Sequence, residues 1–482
     1  MDRIIIFGTG KHLQNRIDYL SSDTEILAFS DNNPGLWEHD YLGKKIIAPD
    51  EISNQDFDLV VIATNKYYSE INHQLLGLGI RPEQIYSLDI FLAKQSRGNI
   101  LLYGTDDAAF SADVLFVSTV LDYSGSAMAC IYAAQALKKD YKRVCIAAPS
   151  GDQNLINEII RLGIVVAIDP ALITPGSVEL SLANSAEIVF VNVYLSIAAA
   201  CEFSRVKPVL WWIHENSDWI NKANDYYHCN DITPDFHRIH TAAVCSNVRE
   251  NLKKVWPDLP VSVMNYGLPD FYKPFSEVKK DRLPVVFAVV GGVCHLKAQD
   301  VFVKAAIRIN KISKVPAEFW MIGSGQGSDY FNDVMNIAKG ASNIYWKGEM
   351  TREELEDIYP QIDVIVCPSR QEGIPIVVNE GLMNAKVCIV ADTAGDNDYI
   401  VDGESGFFFH SEDVDELADK MAYAAENYES LGMMCQKARQ VFLNHYSMES
   451  FRSRLEKEIE LTQEEWQQKG PTAEHSLFCC MD

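Results

Sequence analysis

Short apolar runs recur along the chain, each closed by a glycine or polar turn and followed by residues at helical spacing. Near the start, Ile4–Phe7 leads into Gly8-Thr9-Gly10 and a helix expected to run through Leu20. Ile26–Phe29 then ends at Ser30-Asp31-Asn32, and Leu59–Ala63 is a further run. The same grammar returns at Val114–Ser118, with the loop Leu121–Ser126 and a helix predicted over Ala127–Lys139. Pro208–Ile213 runs into His214-Glu215, and Ala242–Ser246 and Val261–Met264 follow. Val285–Val290, Phe319–Gly323, Ile344–Trp346 and Ile362–Cys367 complete the series. Runs this short and this continuously apolar are strands buried on both faces, and their alternation with helices predicts parallel sheets in an α/β protein. A hinge is expected at Lys94–Gly98, an amphipathic helix over 446–467, and a disordered tail over 468–482.

Composition narrows the classes. A length of 482 residues suits two to four domains, and 48% apolar residues suffice for real cores. The net charge of −25 argues against nucleic acid or an anionic lipid surface as partner. It leaves room for an anionic small ligand held by local lysines and backbone N–H groups. The eleven cysteines include no C-x-x-C pair, so neither a zinc site nor a disulfide framework is indicated. A cytoplasmic setting, or the membrane periphery through a partner, fits that thiol content. Met1–Gly10 reads as strand and turn rather than leader, and the apolar stretch Ile188–Phe203 is too short to span a bilayer. The closing Cys479-Cys480-Met481-Asp482 outlines a prenylation box that its terminal Asp fits poorly.

The densest chemistry lies in Val366–Leu382. A strand stops at Pro368-Ser369, and Arg370-Gln371-Glu372-Gly373 loops from its carboxyl end. Pro375 suits the first turn of a helix that carries Glu380. Two carboxylates thus flank a helix N-terminus whose N–H groups attract anions. Hydroxyl acceptors on either side of a phosphate seat describe a nucleotide-sugar pocket.

This E-x7-E element, after a strand ending in P-S, resembles the signature of retaining glycosyltransferases of family 4. The resemblance implies the GT-B fold, two Rossmann-like lobes facing a cleft, here preceded by a small extra Rossmann-like domain. The expected domains are an accessory module (1–97), an acceptor lobe (98–275), a nucleotide-sugar lobe (276–445) and a crossover helix (446–467). Donor contacts carry over to Lys297, in K-A-Q-D, and to Gly325, in the G-x-G loop. Lys347 lies in the segment whose backbone reads the base, and Gly373, Ile374, Ile376 and Glu380 lie in the signature itself. Glu372 would hold donor-sugar hydroxyls, Glu380 the ribose, and His214 would stand near the donor sugar. Glu372 and His214 are the catalytic candidates. Gly125 and Ser126 match the family's first loop. The chain departs from the family at Gly292, where an Arg is common, and at Pro375 and Gly381. Asp396-x-Asp398 is read as loop chemistry, and no metal is expected.

The implied reaction moves a hexose from a nucleotide diphosphate sugar, UDP-linked, to a glycan, lipid-linked or protein acceptor with retained configuration and no added cofactor. Two alternatives stay open. A non-catalytic GT-B partner of another transferase would suit Gly292 and the extra domain. A nucleotide-sugar oxidoreductase would rest on residues 1–97, where Gly8-x-Gly10 with an acid about twenty residues on is half a dinucleotide fingerprint. NAD or nucleotide binding there competes with protein-partner docking. Leu13 occupies the third glycine position, and the segment has no fitting Tyr-x-x-x-Lys dyad.

Overall fold

The computed structural model describes residues 2–469 except 65, 97–99, 108, 175–177, 179, 216, 230–234 and 273–282. The expected boundary at 275/276, the end of the hinge at 97–98 and the tail from Gly470 lie outside the described residues. The chain packs as two compact units. One comprises 1–242, 251–262 and 455–482, and the other 243–250 and 263–454.

The first sheet contains β1 (Asp2–Phe7), β2 (Thr24–Ser30), β3 (Asp40–Tyr41), β4 (Lys44–Ile47), β5 (Leu59–Ile62) and β6 (Ile85–Ser87). Its order is β3-β4-β2-β1-β5-β6, parallel apart from the β3–β4 pair. The helix expected through Leu20 is a single turn, Lys11–Gln14, followed by a short 3₁₀ turn at Ile17–Tyr19. Leu13 is fully buried in this sheet's core, so a dinucleotide pyrophosphate would meet one turn of helix here. The expected hinge begins inside a helix, because Lys94–Ser96 complete Leu88–Ser96.

The second sheet contains β7 (Leu101–Tyr103), β8 (Val114–Val117), β9 (Val144–Ala148), β10 (Val165–Ile168), β11 (Ile188–Asn192), β12 (Val209–Ile213), β13 (Ile239–Ala243) and β14 (Val261–Val263). They run β14-β13-β12-β11-β8-β9-β10-β7, with β7 antiparallel to β10. β8, β9, β11 and β12 are buried at every position, which is why the sequence shows continuous rather than alternating apolar runs. Gly125 and Ser126 open the helix Gly125–Leu137 instead of closing the loop before it, since Ser124 takes the extended backbone that precedes a helix.

The second unit's sheet contains β15 (Val285–Val290), β16 (Ala317–Ile322), β17 (Ile344–Gly348), β18 (Val364–Cys367), β19 (Val387–Ala391) and β20 (Phe407–Phe409). All pairs are parallel in the order β17-β16-β15-β18-β19-β20. Helix Gln299–Ile312 packs on this sheet with Val301, Phe302, Ala305 and Ile309. The last helix, Met448–Lys469, belongs to the second unit up to Arg454 and to the first from Leu455. Residues 468 and 469 are thus helical rather than part of a tail.

Candidate active site

In the second unit, the loops leaving β16, β15, β18 and β19 come from four neighbouring parallel strands. Their carboxyl ends are where open α/β sheets bind ligands. The loop after β15 is stapled by Gln299, whose Nε2 donates to Gly292 O (3.0 Å) and whose Oε1 accepts from Cys294 N (3.3 Å). Lys297 projects from this loop and pairs with the Oε1 of Glu372. Ser369 Oγ donates to the same carboxylate oxygen at 3.0 Å. Burial acts to lower the Lys297 pKa, but the Glu372 carboxylate outweighs it and the net shift is upward. The ammonium stays charged, as a diphosphate ligand would require.

Arg370 ties the two loops together. Its backbone N donates to Leu296 O (2.9 Å), Nη1 to His295 O (2.5 Å) and Nη2 to Asp300 Oδ1 (2.9 Å), while Nε pairs with Glu412. Burial favours the neutral acid at Asp300, yet Lys304, Tyr330 and Arg370 hold its pKa down to about 2. With its donors so engaged, Arg370 anchors the loop and does not stand in for the cation missing at Gly292.

Gly373 meets the loop after β19 at very close range. A Cβ on Gly395 would lie 1.6 Å from Gly373 O and 2.8 Å from Cys245 Sγ, so only glycine fits. Thr393 Oγ1 donates to Ser369 O at 2.7 Å, adding a second tie. Ile374 offers its carbonyl to the Tyr266 hydroxyl at 3.0 Å. Ile376 opens the helix Ile376–Met383, with Pro375 just before it. Gly325 is held at φ +135°, and a Cβ there would lie 2.8 Å from Val293 Cβ, so this glycine seats one loop on the next.

Glu380 is 3% exposed. Its two oxygens meet Arg352 Nη1 and, at 2.5 Å, the buried Tyr359 hydroxyl. Burial first and Glu380 second push the Tyr359 phenol far up, so it remains a donor. Arg352 also lies over the Phe271 ring at 4.6 Å. Lys347 is exposed on edge strand β17, with Nζ 4.3 Å from the Trp320 ring centroid and 5.3 Å from that of Tyr345. Among the described residues no group of three or more His, Cys, Asp or Glu could hold a metal.

In the first unit, His214 follows β12 beside Trp212, with ring centroids 4.4 Å apart. Desolvation lowers its pKa to about 3, so the imidazole is neutral, and its buried Nε2 meets no hydrogen-bond partner among the described residues. Glu215 accepts from Tyr194 N (2.8 Å) and His214 N (3.1 Å), and burial raises its pKa to about 7. Tyr194 follows Val193, which sits at φ +69°, a strained conformation for a β-branched residue. Asn192 ends β11 and donates to Ser126 O at 3.0 Å. Ser126, Asn192 and His214 thus gather at the carboxyl ends of adjacent strands β8, β11 and β12, while Gly125 begins the same helix as Ser126.

Sequence reading did not single out Arg352, Tyr359 or Gly395 as site residues. The first two come from a helix and turn with no motif of their own. Gly395, in Ala394-Gly395-Asp396, carried the weak signal of a glycine directly after a buried strand and turn.

Residues 273–441 match the family described as glycosyl transferases group 1, and residues 1–86 match one described as C2185-like, N-terminal. The UDP-Gal:alpha-D-GlcNAc-diphosphoundecaprenol alpha-1,3-galactosyltransferase of Escherichia coli is 25% identical over 175 residues, 35% of this chain and 43% of that protein. The chain spans about half or less of the length of the curated relatives it matches. Among solved structures, a glycosyltransferase from Rickettsia africae superposes with a TM-score of 0.59 at 17% identity, covering 74% of this chain and 98% of the other. Anabaena HepE in complex with UDP-glucose gives 0.59 at 12% identity, covering 71% and 98%. The fold is α/β of the GT-B class, with several Rossmann-like sheets and an extra one at the N-terminus. No helix among the described residues is long and apolar enough to cross a membrane.

Proposed function

We propose that the chain is a retaining glycosyltransferase of family 4 that moves a hexose from a UDP-sugar to an acceptor hydroxyl in glycan or glycoconjugate assembly. The observation that carries this reading is the Lys297–Glu372 pair, set in interlocked loops at the carboxyl ends of β15 and β18. It lies within the segment that matches the group 1 transferases. HepE was solved with UDP-glucose and the Escherichia coli relative is named for UDP-Gal, which supports a UDP-linked donor.

In this reaction the diphosphate binds along Lys297 and the backbone N–H groups after Gly373, including Ile376 and Val377 at the helix N-terminus. As the glycosidic bond to phosphate breaks, charge grows on the leaving diphosphate, and Lys297 offsets it from a fixed position. Glu372 accepts from donor-sugar hydroxyls and favours the positive charge that develops on the sugar ring. Glu380, fixed by Arg352 and Tyr359, holds the ribose. Gly325 lets its loop approach the donor, and the backbone beside Lys347 reads the base. The neutral imidazole of His214 offers a ring nitrogen to hydrogen-bond a sugar hydroxyl, with no proton transferred. Gly125 and Ser126 supply N–H groups at a helix start on the acceptor side.

A panel of nucleotide sugars, with released nucleotide as the readout, tests the reading. UDP released from one sugar, faster with an acceptor added, is the expected result. Gly292 in the usual Arg position favours a second reading, a non-catalytic partner subunit. UDP binding without transfer or donor hydrolysis across the whole panel would support that instead.

A further inference from the structure

The first sheet's layer is fixed to the second sheet within one unit. Arg16, 3% exposed, lies 3.0 Å from Asp89 and donates from Nη2 to Thr119 O at 3.3 Å. Thr174 Oγ1 donates to Asp89 O at 3.3 Å. The hydroxyls of Ser87 and Tyr226 are 3.3 Å apart, and the rings of Tyr68 and Tyr226 meet edge-on at 5.3 Å. A buried ion pair that also satisfies a carbonyl specifies how two layers register more than it adds stability. Thr119 lies just past the carboxyl end of β8, Thr174 past that of β10, and Tyr226 on the helix that follows β12. The N-terminal layer therefore packs along the second sheet's carboxyl edge, the edge that also carries Ser126, Asn192 and His214.

Exposed apolar side chains scattered singly need no explanation. Leu42, Leu76, Leu101, Leu162 and Val206 are of that kind in this unit, whereas its exposed aromatic side chains share a position in the topology. Among the described residues of this unit, the aromatic side chains more than a third exposed are Tyr67 (45%), Tyr123 (57%) and Trp219 (41%). Each lies beyond the carboxyl end of a parallel strand: β5, β8 and β12 respectively. Lys66 Nζ lies 5.0 Å from the ring centroid of Tyr67 and 5.7 Å from that of Trp219, so one cation spans a ring from each layer. On the same edge, Asn192 is 2% exposed and its Oδ1, like Nε2 of His214, has no hydrogen-bond partner among the described residues. A buried amide oxygen without a partner is costly, and a ligand that brings an O–H donor would satisfy the one on Asn192.

We infer that Tyr67, Trp219 and Lys66 form a platform for an oligosaccharide acceptor, which makes the N-terminal layer part of the acceptor site. Sugars suit both features. Their C–H faces stack on indole and phenol rings, while their hydroxyls accept from the Lys66 ammonium and donate to acceptors such as Asn192 Oδ1. A polyanionic ligand is poorly served by one lysine on a chain of net charge −25. That the bound glycan is the acceptor rests on the transferase reading above; that the platform binds glycan does not.

The full chain is applied to an array of defined mono- and oligosaccharides, with a UDP titration and a thermal melt in parallel. Retention on oligosaccharides over monosaccharides is expected. Tyr67→Ala and Trp219→Ala should each weaken it about tenfold, equivalent to about 1.4 kcal/mol. Trp219→Phe should recover part of the loss, and UDP affinity and melting temperature should stay unchanged. Equal glycan binding by wild type and Trp219→Ala, or no oligosaccharide bound by a wild type that binds UDP, overturns the platform. Failure to bind UDP would instead count against the transferase reading and leaves the glycan result to stand or fall by itself.

Discussion

Glu372→Gln separates the two tasks proposed for the donor loops. In the wild type the Lys297 ammonium is paired with Glu372, whose Oε1 also accepts from Ser369. Opposite charges about 4 Å apart at an effective dielectric near 20 attract by about 4 kcal/mol. A diphosphate must compete with that attraction for the ammonium. The substitution keeps size and one carbonyl acceptor but removes the charge, so UDP affinity should hold or rise. Transfer should fall a hundred- to a thousandfold, about 2.7–4 kcal/mol, the scale of one lost electrostatic contact in a transition state. Calorimetric titration of UDP and initial rates of nucleotide release measure the two quantities on the same preparation. Transfer at the wild-type rate would refute the role given to Glu372. A parallel loss of UDP affinity would refute the competition between carboxylate and diphosphate.

Gly395→Ala places a methyl 1.6 Å from Gly373 O, so urea unfolding should register a loss of about 1–3 kcal/mol and UDP titration a weaker site. Gly432→Ala, with nothing within 4 Å of the added carbon, is the control expected to keep both. Arg370→Ala releases the signature loop from Asp300 and the His295 carbonyl, and a misplaced Glu372 should cost transfer up to about a hundredfold. UDP affinity and Tm measured alongside tell misplacement from unfolding. His240, 8% exposed, sits 2.7 Å from Glu458 and 3.0 Å from Glu465 of the last helix. Burial pulls its pKa down, but the two carboxylates raise it overall. The stabilisation is therefore complete below about pH 6.5 and lost as pH rises through the higher folded value. His240→Gln should destabilise most in acid, with the gap to wild type closing toward pH 9 in thermal melts.

Fold class was legible along the chain because strands buried on both faces have to be continuously apolar, whatever they pack against. That rule located β1, β8, β12, β15 and β18 to within about two residues. The order Pro368-Ser369, Glu372, Pro375, Glu380 was legible too, since a strand end, a loop and a helix start are local events. Helix limits were less so. Leu13 was drawn into the first core and the helix expected through Leu20 broke into short turns, while Gly125 and Ser126 passed from loop to helix. Only tertiary structure decided which polar groups meet. Lys297 and Glu372 lie 75 positions apart, Arg352 and Glu380 28 apart, and Arg16 and Thr119 103 apart. No local pattern encodes such partners, because each is chosen by the order of strands in a sheet or by how helices and layers pack on one another. Burial then sets the chemistry: it neutralises His214, raises Glu215, and leaves Asn192 Oδ1 without a partner among the described residues.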